Sequence, residues 1–333
     1  MKRRQLMALA GVGAPALAGP LLSAPALAQG VWQPDRPIRI TVPFPPGGAT
    51  DVWARLVAEH LGDVMRANFV VENRSGAAGM IGAEAVARAQ PDGHSLLFTI
   101  TALVQSPVVL RQNPYDAVRD FTPIGQMGTT TLIFMSRAAL GPRNLDEFIA
   151  YARQRAAAGR GLMMGSWAAG STAHVFGLVL NNRLNLGMTH VAYRGEAPML
   201  AAYLAQEIDC GINSLTTMRP HIESGTMVPL AALGDARAGG LPNVPTFVEQ
   251  GHDIGRGWAG FVGMLAPARL PERIHTRLAD AFRETMTRPA LQARLRQMDT
   301  DPIWLGPAEF GEAIARIRAQ WIELTAGMDL QMG

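Results

Sequence analysis

A chain of 333 residues, 48% of them hydrophobic and 17% charged, exceeds the usual range of a single core and favours two domains. Its formal charge of +3 comes from 30 basic and 27 acidic residues, three of the basic ones being Lys2, Arg3 and Arg4. Beyond them the balance is 27 against 27, every remaining cation is arginine, and no single-sign block marks a nucleic-acid or anionic-membrane surface.

The first residues read as an export leader over 1–28. Lys2-Arg3-Arg4 is its basic start, 6–22 is mostly apolar, and Ala26-Leu27-Ala28 is a cleavage site ahead of Gln29. The paired arginines fit a twin-arginine signal or an ordinary secretory one, and Pro15 and Pro20 break any spanning helix. Cleavage after Ala28 is expected to deliver the mature protein outside the cytoplasm. Cys210 is the sole cysteine, so no internal disulfide framework exists, and its apolar flanks make it a core residue. No later run reaches the ~18 apolar residues a bilayer span needs.

Strands and helices then alternate. An alternating strand over 38–42 runs into Pro43-Phe44-Pro45-Pro46-Gly47-Gly48-Ala49-Thr50-Asp51. The helix after it is expected to bury Val52, Trp53, Leu56, Val57 and Leu61 and to stop at Gly62. Prolines stiffen that junction, glycines let a ligand approach bare backbone, and Thr50 or Asp51 can cap the helix. The arrangement suits an anion held by backbone N–H groups at a helix N-terminus. A strand at 69–71, a small-residue helix at 81–89 and a strand at 95–100 follow. The pattern restarts with a strand at 132–135 and a helix at 145–155, capped by Asn144 with Glu147 three residues on. Residues 162–164 lead into a second such turn, Gly165-Ser166-Trp167-Ala168-Ala169-Gly170-Ser171-Thr172. Strands at 189–193, 208–212 and 228–233, with a helix at 198–205, complete the second unit. A strand at 258–265 and helices at 271–286, 291–297 and 307–325 close the chain. Strand–helix–strand order of this kind predicts mostly parallel sheets flanked by helices. Two units, each with one Gly-rich turn at a strand's carboxyl end, predict two lobes facing one cleft.

Enzyme signatures are mostly missing. There is no nucleotide P-loop, no dinucleotide fingerprint and no G-x-S-x-G elbow in the mature chain. Seven histidines show no metal-ligand spacing, so neither metal nor cofactor is expected. Ser171 and His174 lie on one helical face and would serve a secreted hydrolase, but no acid in that helix orients the imidazole. Asp51 reads either as a helix cap or as a ligand contact facing an amine-like donor, and Arg194 either as a solvent-facing side chain or a carboxylate partner.

The stretches PIRITVPFPPGGATDVWARLVAEHL (37–61), VVENRSGAAGMIGAEAVARAQPDGHSLLF (70–98), GSWAAGSTAH (165–174), VAYRGEAP (191–198), LPNVPTFVEQG (241–251) and WAGFVGMLAPARLP (258–271) together resemble the periplasmic solute receptors of tripartite tricarboxylate transporters, the Bug proteins. The resemblance spans nearly the whole mature chain. It implies an α/β two-lobed periplasmic-binding-protein (Venus flytrap) fold, with lobe 1 formed by 29–128 plus 252–333 and lobe 2 by 129–251. A small carboxylate would lie between the lobes, and the likeness places Phe44, Gly47, Gly48, Thr50 and Asp51 on one side. Ser166, Gly170, Ser171 and Thr172 would stand opposite, with Tyr193, Arg194 and Gly195 on the far wall and Asp209 and Asn213 nearby. It further implies docking on membrane permease subunits; a chain that must close and then dock is expected to be a monomer, and a receptor serving a membrane sensor kinase is the alternative reading. The sequence departs from the family in Trp167-Ala168-Ala169, in the absence of an aromatic residue over 208–213, and in Ser75-Gly76-Ala77-Ala78-Gly79.

Overall fold

Apolar β1 (Ile38–Val42) enters the core with only its second residue exposed. It passes through the Pro-Gly turn into α1 (Ala49–Met65), then β2 (Phe69–Asn73), α2 (Met80–Ala87), β3 (Ser95–Ile100) and α3 (Ala102–Val109). These elements belong to a computed structural model that describes residues 31–258 and 260–326, with the backbone alone at Thr130. The expected leader over 1–28 lies outside the described residues. From Trp32 the chain forms one compact unit.

The long β4 (Phe121–Thr130) closes the first run, and one residue later β5 (Leu132–Arg137) begins a second sheet. There α4 (Leu145–Ala157), β6 (Met163–Ser166), α5 (Thr172–Leu184), β7 (Thr189–Ala192) and α6 (Glu196–Leu204) follow. β8 (Cys210–Ser214), α7 (Leu215–Glu223) and β9 (Met227–Ala232) complete that lobe. The chain returns as β10 (Val262–Pro267), α8 (Glu272–Thr287), α9 (Pro289–Gln297), β11 (Thr300–Leu305) and α10 (Pro307–Thr325).

The first sheet has six strands in the order β11-β4-β10-β3-β1-β2, and the second has five in the order β7-β6-β8-β5-β9. Among the ladders between these strands, parallel pairing joins β1 with β2 and β3, and β6 with β7 and β8. Every other ladder is antiparallel, so both sheets are mixed where the sequence predicts mostly parallel ones. The reason lies in the crossings. β5 and β10 bring the chain into a lobe and run against its βαβ strands, whereas β4 and β9, which carry the chain out, run along them and pair with the incoming strand.

Two apolar clusters hold the lobes. One surrounds Trp53, Leu61, Phe98 and Phe282 on the first sheet. The other is continuous from Leu97 and Phe310 in lobe 1 to Phe134 and Phe148 in lobe 2. Phe134 and Phe148 meet edge to face at 5.1 Å, and each such buried ring contributes about 1.5–3 kcal/mol. α10 lies against α3 and β4, and its Trp321 reaches Phe176 of α5 at 5.8 Å, tying the lobes behind the cleft. Cys210 is sealed in β8 with its Sγ 3.5 Å from Met188 Sδ, and burial pushes its thiol well above the ordinary range.

Candidate functional site

The first turn is braced by Asp51. Gly48 is the N-cap of α1 and makes no side-chain cap bond, so neither Thr50 nor Asp51 occupies the capping position. Instead the Asp51 carboxylate reaches back from the first turn and accepts from the Gly47 N–H at 3.0 Å and from Asn73 Nδ2 at 2.9 Å. Arg55 pairs with it at 2.9 Å, and Asn73 also donates to the Phe44 carbonyl at 3.0 Å. Burial opposes its charge, yet the bonds from Arg55, Gly47 and Asn73 outweigh that and hold the carboxyl below its ordinary value. Asp51 thus shapes the loop. Val52 is solvent-exposed, and α1 runs through Gly62 to Met65, where Arg66 adopts a left-handed cap.

The second turn is closed upon itself. Ser171 is the N-cap of α5, its Oγ accepting from the His174 N–H at 3.2 Å. The Gly170 N–H donates to His174 Nδ1 at 2.9 Å, and Ser166 Oγ donates to the Ala168 carbonyl at 3.0 Å. Ser166 Oγ accepts in turn from His190 Nε2 at 2.7 Å, which places the proton of each imidazole on Nε2. His174 and His190 stack at 3.9 Å. Burial lowers both to about 4, and for His174 the neighbouring His190 adds to the effect. Thr172 Oγ1 donates to Gln105 Oε1 at 2.6 Å while Gln105 Nε2 donates to the Gly170 carbonyl at 2.5 Å, so α3 of lobe 1 clamps this turn. The hydrolase expectation fails here. The Ser171 hydroxyl serves the backbone, and the His174 ring is committed to Gly170 and His190.

Between the lobes lies a narrow, partly open cleft with an interior volume of about 40 Å³, of which Phe44, Gly48 and Thr50 form part of the wall. Pro45 and Ala49 complete that side, and Trp53, Ile100, Leu132 and Trp167 make the interior largely apolar. The Trp53 indole N–H is buried and has no acceptor. Glu196 and Ser214 supply the polar side chains from lobe 2. Gly47, Asp51, Ser166, Gly170, Ser171 and Thr172 stand behind this wall as its supports. Tyr193 is half-buried and Arg194 is exposed, which favours the solvent-facing reading of that arginine. Gly195 is buried with φ of 129°, and a Cβ there would come within 2.7 Å of Pro45 Cδ across the cleft.

Asp209 requires a correction. It precedes β8 at the end opposite Ser214, ion-paired with Arg137 at 2.6 Å and accepting from the Met163 N–H at 2.9 Å. A five-residue strand places it roughly 16 Å from the cleft end. Asn213 is fully buried one residue before Ser214, donating to the Gly211 carbonyl at 3.0 Å and to Tyr203 Oη at 3.2 Å.

Glu196 is the side chain the sequence reading passed over. Its Oε1 accepts from the Ser214 N–H at 2.9 Å, and its Oε2 from Ser214 Oγ at 3.0 Å and Thr217 Oγ1 at 2.8 Å. Across the cleft the Ala49 N–H at the start of α1 donates to Oε2 at 3.4 Å. The signal was an acid within VAYRGEAP, at the first position of a helix directly after a strand.

Over residues 53–324 the chain matches the profile of the tripartite tricarboxylate transporter family receptor. It is 29% identical to BugT of Bordetella pertussis, covering 86% of this chain and 88% of that one. The structure of the periplasmic binding protein BugD superimposes with a TM-score of 0.82 at 28% identity, over 88% of this chain and 97% of that one. Rpa4515 of R. palustris, solved with adipate, gives a TM-score of 0.82 at 29% identity with the same coverage, 88% and 97%. With that match over most of its length and the two-lobed fold shared with BugD, the chain belongs to the tripartite tricarboxylate transporter receptor family, whose members are solute-binding receptors.

Proposed function

We propose that this receptor captures a small carboxylate-bearing solute in the periplasm, after loss of residues 1–28, and presents it to membrane permease subunits of a tripartite tricarboxylate-type transporter. The observation that carries this reading is the start of α1, where Gly48, Ala49 and Thr50 line the interlobe cleft and the Ala49 N–H already donates to a carboxylate, that of Glu196, at 3.4 Å. A helix start of this kind neutralises one carboxylate without a lysine, and lobe closure around it strengthens the hydrogen bonds by excluding water. Gly48 suits that role because a Cβ added there would meet nothing nearer than 3.8 Å, leaving open space at the backbone. The adipate held by Rpa4515, a relative of matching fold, supports the ligand class.

Thermal unfolding of the purified protein against mono-, di- and tricarboxylates, aromatic acids and acidic amino acids tests this. A ligand at a hundred times its dissociation constant adds about 2.7 kcal/mol, and one carboxylate class is expected to raise the midpoint. A folded, ligand-stripped protein that ignores all of them would overturn the reading.

A further inference from the structure

We propose that Glu196 is an internal competitor: its carboxylate occupies the place where a solute carboxylate binds, and the solute enters by displacing it. The inference rests on the receptor reading above and states what sets affinity at that same site. Glu196 is the first residue of α6, directly after the turn that follows β7. Its carboxylate is bonded as a bound anion would be. Ser214, the N-cap of α7, gives its N–H at 2.9 Å and its hydroxyl at 3.0 Å, and Thr217 gives its hydroxyl at 2.8 Å. The Ala49 N–H, at the first position of α1, completes the set from lobe 1. Among the described residues no basic side chain lines this cleft, so the donors are hydroxyls and helix-start N–H groups. That is the chemistry a helix start offers to any carboxylate.

Space leads to the same conclusion. An interior of about 40 Å³ has room for about three waters, and its walls at Phe44, Trp53, Leu132 and Trp167 are buried. A solute carboxylate that takes up the Ala49 N–H must therefore displace the side chain already holding it and widen the space around it. One motion does both: Glu196 swings off α1 as the lobes part. A group tethered beside the site competes at a high effective concentration whatever the solute. If it holds the place about nine tenths of the time, a solute binds about tenfold more weakly than it would to free donors.

Acetate tests this, because Glu196→Ala deletes one methylene and one carboxylate, which acetate can return. The wild type, Glu196→Ala and Glu196→Gln are titrated with sodium acetate by calorimetry, and their melting midpoints are compared in acetate and in equal sodium chloride. Glu196→Ala is expected to bind acetate at least about tenfold more tightly than the wild type, and its midpoint to rise in acetate but not in chloride. Glu196→Gln removes the charge but keeps the place filled, so its gain should stay below about threefold. Equal gains in both variants would assign the effect to charge repulsion rather than occupancy and overturn the competitor role. An alanine variant that ignores acetate would overturn it as well. Should that variant not fold, Glu196→Ser vacates the same place and carries the same expectation. With a wild type that answers one carboxylate class in the stability screen, either adverse result leaves the receptor reading intact. If none of these folded proteins responds to any acid, the receptor reading falls and this inference with it.

Discussion

Gly195 shows how much a missing side chain contributes. Its φ of 129° lies where an L residue is strained by about 1–3 kcal/mol, and its Cα faces Pro45 of the opposite lobe. Gly195→Ala is therefore expected to weaken ligand binding at least tenfold, because the added methyl wedges the lobes apart at the point where they meet. Calorimetric titration with the ligand found in the stability screen checks this, and an unaltered affinity would show that Pro45 and Gly195 need not approach for binding. Residue identity alone misplaced Asp209 for a related reason. A carboxylate near a strand of the cleft looks functional in sequence, but which end of the strand it occupies depends on the register of β8 against β5 and β6. Its pairing with Arg137, far along the chain, is the kind of contact no local pattern reveals. Glu196 escaped notice for the opposite reason. Its four donors come from positions 49, 214 and 217, and only the folded chain brings them around one carboxylate.

Among the elements, the two strand-to-helix turns do different work despite similar composition. The first lines the cleft, whereas the second spends its polar groups on Ser171, His174, His190 and Gln105. The stacked histidines make that second turn sensitive to acid. Both are held neutral in the fold at about 4, against an ordinary value of 6.5, so the unfolded chain binds more protons in between. Stability is then fully present above pH 6.5 and is lost as the pH falls toward 4. The melting midpoint should drop by at least about 5 °C across that window, and a His174→Gln/His190→Gln double variant should flatten the drop. A wild-type midpoint that stays level would contradict the buried neutral pair. Turns and apolar strands of this kind were legible in the sequence, as was the cap of Asn144, whose Oδ1 accepts from the Glu147 N–H at 2.9 Å. Proline hid the rest. β4 carries Pro123, α3 carries Pro107, α7 carries Pro220 and β11 carries Pro302, and each passes for a connector until its neighbours are known. In β4 the pattern is further blurred by Gly125 and Gly128, which lie close to Trp304 and Asp301 of the adjoining β11.

At the scale of the molecule, two lobes are joined by a single residue between β4 and β5 and by the segment from β9 to β10. The contact of Trp321 with Phe176 crosses between the lobes beside these links. Charge does little at this scale. Past residue 28 the acidic and basic side chains balance, so no long-range field draws an anion inward. The association rate of a carboxylate ligand, followed by stopped-flow Trp fluorescence, should change by less than about threefold between low and high salt. A steep fall with salt would reveal a local field that the balanced total conceals. The single thiol of Cys210 carries a practical consequence. Sealed in β8 and held protonated by its surroundings, it is inert toward maleimides and iodoacetamides while the fold persists. The native protein is thereby a blank background for labelling: one cysteine engineered on each lobe would accept a dye pair alone, and the distance between the dyes would follow the cleft as it shuts.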